Sequence, residues 1–248
     1  MIEKTIKTTG RKLKVKIPSL LNEITLGLLI ELQEKPDIND LDAISILSGV
    51  PIEQLQNISD FDDLQEFGAT VLSLSTQIKL LYNSDHLPKK IIFYSIPGNP
   101  VITVANNLSV EPVGAFMAAR EIIGDEINHH IKQYGADNWQ ENFRPSLKAC
   151  CQVLAHYFYC RATGEKYNEY EAEDFCTEIK KLRVTEALPI AKHFFMNYPS
   201  LSKPKTGYSL RLRQFWKKRP GYTLLKSLNI STPSTHSPAA TSPNGPKY

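Results

Sequence analysis

The chain has 248 residues, 42% hydrophobic and 22% charged, enough apolar material for a packed core and too little charge for wholesale disorder. It contains no run of about 18 apolar residues, and its charged opening, MIEKTIKTTGRKLKVKIP, lacks an apolar h-region, so neither a transmembrane helix nor a signal peptide is expected. The net charge of +3 hides a polarity: residues 1–186 hold 19 Lys and Arg against all 26 Asp and Glu, a balance of −7, whereas residues 187–248 hold 10 bases and no acid.

Residues 4–8 and 12–17 alternate in polarity around Thr9-Gly10, which predicts a hairpin with Ile6, Leu13, Val15 and Ile17 facing inward and Pro18 ending it. A pair of strands that short is marginal alone and must lie against something. A first helix follows, capped by Asn22 or Thr25, with Leu26, Leu29 and Ile30 on one side, and Pro36 stops it. Asn39 or Asp40 caps the next run, in which Leu41, Ile44 and Leu47 fall at helical spacing. Gly49 takes the left-handed closing position, and Pro51 opens a further short helix over 52–58. This corner is helix–turn–helix only in outline. Its second helix carries Glu53, Gln54 and Gln56 with no Lys or Arg, which argues against reading a DNA groove.

A longer helix is predicted from Asp60 to about Asn83, with an acidic first turn and a stripe of Leu64, Phe67, Val71, Leu74, Ile78 and Leu81. Two β-branched runs, 91–96 and 101–105, flank Pro97-Gly98-Asn99-Pro100 and predict a second hairpin at 91–105. Residues 112–134 read as an amphipathic helix with Val113, Phe116, Met117, Ile123, Ile127 and Ile131 recurring at helical spacing. Helices over 144–163, closed by Gly164, over 169–183, and over 185–198 complete the expected body, with Pro189 early in the last. The fold class is mainly α. The expected organisation is residues 1–87 as hairpin plus helices, 88–199 as second hairpin plus helices packed with the first part, and 200–248 as a basic tail. Disorder is expected beyond Pro199, most plainly over 229–248, which include four Pro and seven Ser or Thr with one aromatic.

Chemistry-bearing residues are sparse. Cys150, Cys151, Cys160 and Cys176 show no CxxC spacing or flanking His, so a reducing compartment is expected in place of a zinc site or disulfide framework. Glu126 and His130 share a helix face with His129 beside them, but two ligands are not a metal site, and an exposed helix end accounts for them. His156 and His193 are expected to satisfy packing and one hydrogen bond each. No GxSxG, GxGxxG or P-loop occurs, and the acids of 165–178 read as a solvated face, so no catalytic residue and no cofactor is expected. Only SLRLRQFWKKRPGY departs from this blandness. There Arg211, Arg213, Lys217, Lys218 and Arg219 surround Phe215 and Trp216, a pattern that can dock an acidic protein, grip phosphates and stack on bases, lie on an anionic membrane surface, or fold back on the acidic body.

The phrases EITLGLLIELQE and DAISILSGVPIEQLQNISDFDDLQEF, following a short β-leader, resemble the N-terminal part of tail assembly chaperones of long-tailed bacteriophages, the siphovirus-like forms of Bacteroidetes-type hosts. The likeness covers roughly residues 5–80, and VGAFMAAREI and VTEALPIAKHFF extend it more weakly. The 91–105 hairpin and the basic tail depart from that pattern. The resemblance implies a non-enzymatic, helical factor of the host cytoplasm that coats the tape-measure protein while the tail tube polymerises, then leaves. On that reading the apolar corner residues Ile44, Leu47, Ile52 and Leu55 meet an amphipathic client helix, and the basic tail recruits a tube subunit. The alternatives are a permanent tail or connector protein of the virion, and a nucleic-acid-binding accessory protein using the tail.

Overall fold

The computed structural model describes residues 1–8, 12–35, 38–58, 61–81, 86–106, 108–137 and 139–197, all within one unit, Met1–Lys203. The basic tail, with Arg211, Arg213, Phe215, Trp216, Lys217, Lys218 and Arg219, lies outside the described residues, and so do the Thr9-Gly10 turn and Pro36. The architecture is mainly helical. Strands β1 (Ile2–Lys7) and β2 (Lys12–Ile17) form the antiparallel N-terminal hairpin, with Ile2 opposite Ile17 and Ile6 opposite Leu13. Alternation decides its faces: Ile6, Val15 and Ile17 are buried while the intervening Thr5, Lys14 and Lys16 face water. The hairpin finds its cover on the helix α2 (Asp40–Ser48).

Local capping sets the first helices. Thr25 Oγ1 accepts the Leu28 amide at 3.3 Å to start α1 (Leu26–Glu34), and Asn39 Oδ1 accepts the Asp42 amide at 2.8 Å to start α2. Gly49 closes α2 with φ 69°, a conformation that costs a side-chain-bearing residue energy. Helix α3 is a single turn, Ile52–Leu55, and not the longer run to Ile58 that spacing predicts. Ile58 is drawn off by a tertiary contact, a β-bridge to Thr8 at the end of the hairpin. Helix α4 (Phe61–Leu81) follows.

The second hairpin is shorter than its β-branched runs imply. Strands β3 (Lys90–Ile92) and β4 (Val101–Thr103) pair over three residues each, and Gly98 and Asn99 take positive φ between them. The Phe93 amide still donates to the Pro100 carbonyl at 3.2 Å, and its buried ring packs 5.7 Å edge-on to Phe158 and 5.6 Å from Phe175.

Helices α5 (Val113–Tyr134), α6 (Trp139–Asn142) and α7 (Leu147–Thr163) build the second half of the core. Twelve of the seventeen residues of α7 are buried, so it is a central helix covered all round and not one with a single apolar face. Against it α5 lays a face led by Ala115, Ala119 and Ile123, and Val113 stays 64% exposed, outside the core that the stripe predicts for it. The expected helix over 169–183 is broken into α8 (Glu169–Asp174) and α9 (Cys176–Ile179) at Phe175. Beyond α9 the chain unwinds because Lys180 and Leu182 carbonyls accept the Gly27 and Leu26 amides, both at 2.8 Å. Those are the open amides at the N-terminus of α1. Helix α10 (Val184–Asn197) closes the body, with Pro189 in its second turn, and one cluster of buried apolar side chains runs from Ile6 to Phe195.

Candidate partner-binding groove

Helices α1, α2 and α4 do not close fully on one another. Between them lies a groove of about 340 Å³ whose floor is Ile24, Leu29, Leu47, Leu74 and Leu147 and whose walls are Leu32, Ile38, Val71 and Ile78. Its size is at the lower end of the roughly 300–1,000 Å³ typical of small-molecule sites, room for a few apolar side chains. Gln33 and Ser75 are the polar side chains that line it among the described residues. Each helix contributes through its own spacing. Val71, Leu74 and Ile78 recur along one side of α4, Leu29 and Leu32 along α1, and Ala43 and Leu47 along α2. Leu72, next in sequence to Val71, does not line the groove and is 70% exposed. The described lining is apolar apart from these two side chains, so burial is the interaction it offers.

Of the corner residues predicted to meet a partner, Leu47 sits in the groove floor and Ile52 is half-buried. Ile44 and Leu55 are 0% and 1% exposed and pack inside the core, so they face the chain's own interior. The walls Leu32, Val71 and Ile78 were not singled out by sequence reasoning as contact residues. The α4 stripe was visible, but a stripe on one helix does not tell whether its neighbours will cover it.

The other polar constellations are structural. Tyr157 is buried; its hydroxyl accepts the Ala105 amide at 2.9 Å and donates to the Ala105 carbonyl at 3.1 Å. Arg161, one turn on, reaches the Glu111 carboxylate and the Tyr157 hydroxyl at 3.3 Å and the Thr103 carbonyl at 2.6 Å. Burial pushes the Glu111 carboxyl above its ordinary value, against the opposing pull of Arg161, and burial likewise raises the Tyr157 hydroxyl. Together these groups fasten the β4 end of the second hairpin to α7. His156 is buried and paired through Nδ1 with the Tyr167 hydroxyl at 3.0 Å, and burial holds its pKa below the usual imidazole value although Glu169 and Glu173 oppose this. His193 Nε2 lies 3.2 Å from the Asn106 carbonyl.

The expectation of an exposed helix end at His129 and His130 needs correction. His129 is exposed, but His130 is 9% exposed, wedged between Tyr134 and Phe143 at ring distances of 4.8 and 5.2 Å, because it falls on the α5 face with Ile123 and Ile127. Glu126 is engaged elsewhere, accepting the Ser146 amide at 2.7 Å ahead of α7. Among the described residues no group of three or more His, Cys, Asp or Glu is placed to hold a metal ion, and no helix is long and apolar enough to cross a membrane. The chain matches no known family, and neither curated proteins nor solved structures show a significant likeness to it.

Proposed function

We propose that the protein is a non-enzymatic assembly factor that holds an amphipathic helix of another polypeptide in the α1–α2–α4 groove, as a tail assembly chaperone would hold a tape-measure protein. The observation that carries the reading is the groove itself: an open apolar cleft with two polar side chains and no titratable group among its described lining. An i, i+4, i+7 row of apolar side chains fits a cleft of this kind. Magnitudes favour a releasable contact. About three inserted apolar side chains gain roughly 1.5–3 kcal/mol each. Ordering the partner and losing its freedom of motion opposes that by several kcal/mol. The remainder, at most about 5 kcal/mol, corresponds to a Kd of roughly 0.1–1 mM or weaker for one groove. Weak, repeated contacts along a long helix suit a factor that must leave when the tube closes.

The test is co-expression with a phage tape-measure protein, for the full chain and for an Ile78→Asp variant. The proposal predicts a soluble complex that the full chain forms and the variant does not, with the helical circular dichroism of the variant unchanged. Two independently eluting proteins in the first arm, or an undiminished complex in the second, would contradict it.

A further inference from the structure

Three of the four free cysteines, Cys150, Cys151 and Cys160, lie on α7, and the fourth, Cys176, opens α9. Helix α9 packs on α7 such that Cys151 Sγ lies 3.5 Å from the Cys176 backbone oxygen. A carbonyl oxygen is about 2.4 Å from its own Cα. The Cys151 sulfur is therefore within about 6 Å of the Cys176 Cα, and the two thiols are themselves hydrogen-bond partners, so the side chains already meet as a disulfide requires. Cys151 is buried and Cys176 is half-buried, so one thiol of the pair meets small solutes from outside and the other waits behind it.

We propose that Cys151 and Cys176 are a reversible disulfide site, with Cys176 the thiol that hydrogen peroxide oxidises and Cys151 the thiol that resolves it. In the first step Cys176 releases its proton and the thiolate attacks one oxygen of hydrogen peroxide; the O–O bond breaks, Cys176 becomes a sulfenic acid, and the departing hydroxide takes up the released proton and leaves as water. In the second, the Cys151 sulfur attacks the Cys176 sulfur; the S–O bond breaks, the S–S bond forms, and hydroxide leaves as a second water with the proton from Cys151. Two thiols are oxidised and one peroxide is reduced to two waters. The electrostatics agree with this order. A hydrogen bond from the Cys151 thiol holds Cys176 below its ordinary value; burial opposes this, and Lys180 one turn on adds to the lowering. The same bond, followed by burial, pushes Cys151 up, while burial raises both Cys150 and Cys160.

The bridge would tie α7 to the segment whose Lys180 and Leu182 carbonyls hold the start of α1. It does not depend on what the groove binds.

The experiment treats the full chain with a small excess of hydrogen peroxide, caps remaining thiols with N-ethylmaleimide, and maps peptides without reduction. The proposal predicts loss of two of the four thiols, a linked pair sequenced as Cys151–Cys176, and full recovery on dithiothreitol. Cys176→Ser should leave Cys151 as a thiol, and Cys160→Ser should behave as the parent chain does. A bridge to Cys150 or between two chains, Cys176 accumulating as a sulfinic acid beside a capped Cys151, or four unreacted thiols would each overturn it.

Discussion

Replacing Arg161 by methionine keeps the length of the stem and removes the guanidinium that faces the Glu111 carboxylate. That carboxylate is 2% exposed, so the variant leaves a buried charge without its partner. Deleting one member of a fully buried pair costs about 3–5 kcal/mol. Arg161 itself is 30% exposed, so water reaches its side of the pair, and the expected loss falls to about 2–3 kcal/mol at pH 7. For a unit of this size that is roughly 4–12 °C in Tm. The sign of the pH dependence follows from Glu111. Its folded pKa lies above the ordinary 4.5, so the folded state keeps a proton that the unfolded state has released, and stability falls as pH rises out of that range. Removing Arg161 takes away the group that opposes the rise. The deficit of the variant should therefore be smaller at pH 5 than at pH 7. Urea denaturation at the two pH values measures this, and Glu111→Gln in both backgrounds closes a double-mutant cycle. A coupling energy near zero, or an equal deficit at the two pH values, would show that the pair is not a buried one and would refute the reasoning.

Other outcomes follow from single contacts. Gly27→Ala should lower stability by about 1–2 kcal/mol in thermal melts, because its Cβ would lie 3.1 Å from the Lys180 oxygen that accepts the Gly27 amide. Gly49→Ala should cost about 1–2 kcal/mol at φ 69°, and Gly49→Asn distinctly less; equal losses would mean that handedness is not the cause. His156 is held neutral by burial, so the stability it contributes is present above pH 6.5 and lost as pH falls through that value toward its lower folded pKa. His156→Gln should flatten the Tm profile between about pH 6.5 and 5, and an unchanged slope would place the acid sensitivity elsewhere.

Where structure is set by neighbours in the chain, the sequence was readable. Thr25 and Asn39 cap helices, and Gly49 and Gly164 end them in left-handed geometry, because these are the residues that supply a short side-chain acceptor or tolerate positive φ; the start of α7, expected at Arg144, falls instead at Leu147, where Ser146 accepts the Ala149 amide. The N-terminal hairpin and α4 followed from periodicity alone. Misreadings cluster where distant groups compete for the backbone or the interior. The break after Ile179 answers to α1, some 150 residues away, whose first amides take the Lys180 and Leu182 carbonyls. Ile58 is removed from α3 by Thr8. On α5, small residues win the contact with α7 because they let two helices approach, a preference that a hydrophobicity pattern does not register. The groove has the same origin: Val71 and Ile78 have the spacing of core residues and become walls because α1 and α2 stop short of covering them.

The most direct measurement of the central claim places a photo-crosslinking amino acid at Ile78 in the groove wall, with Tyr170, 80% exposed on α8, as the control position. Illuminated during co-expression with a tape-measure protein, position 78 should yield adducts concentrated on client segments with apolar residues at i, i+4 and i+7, and position 170 should yield few. Equal adducts from the two positions, or none from position 78 while the proteins still co-purify, would contradict a helix held in this groove.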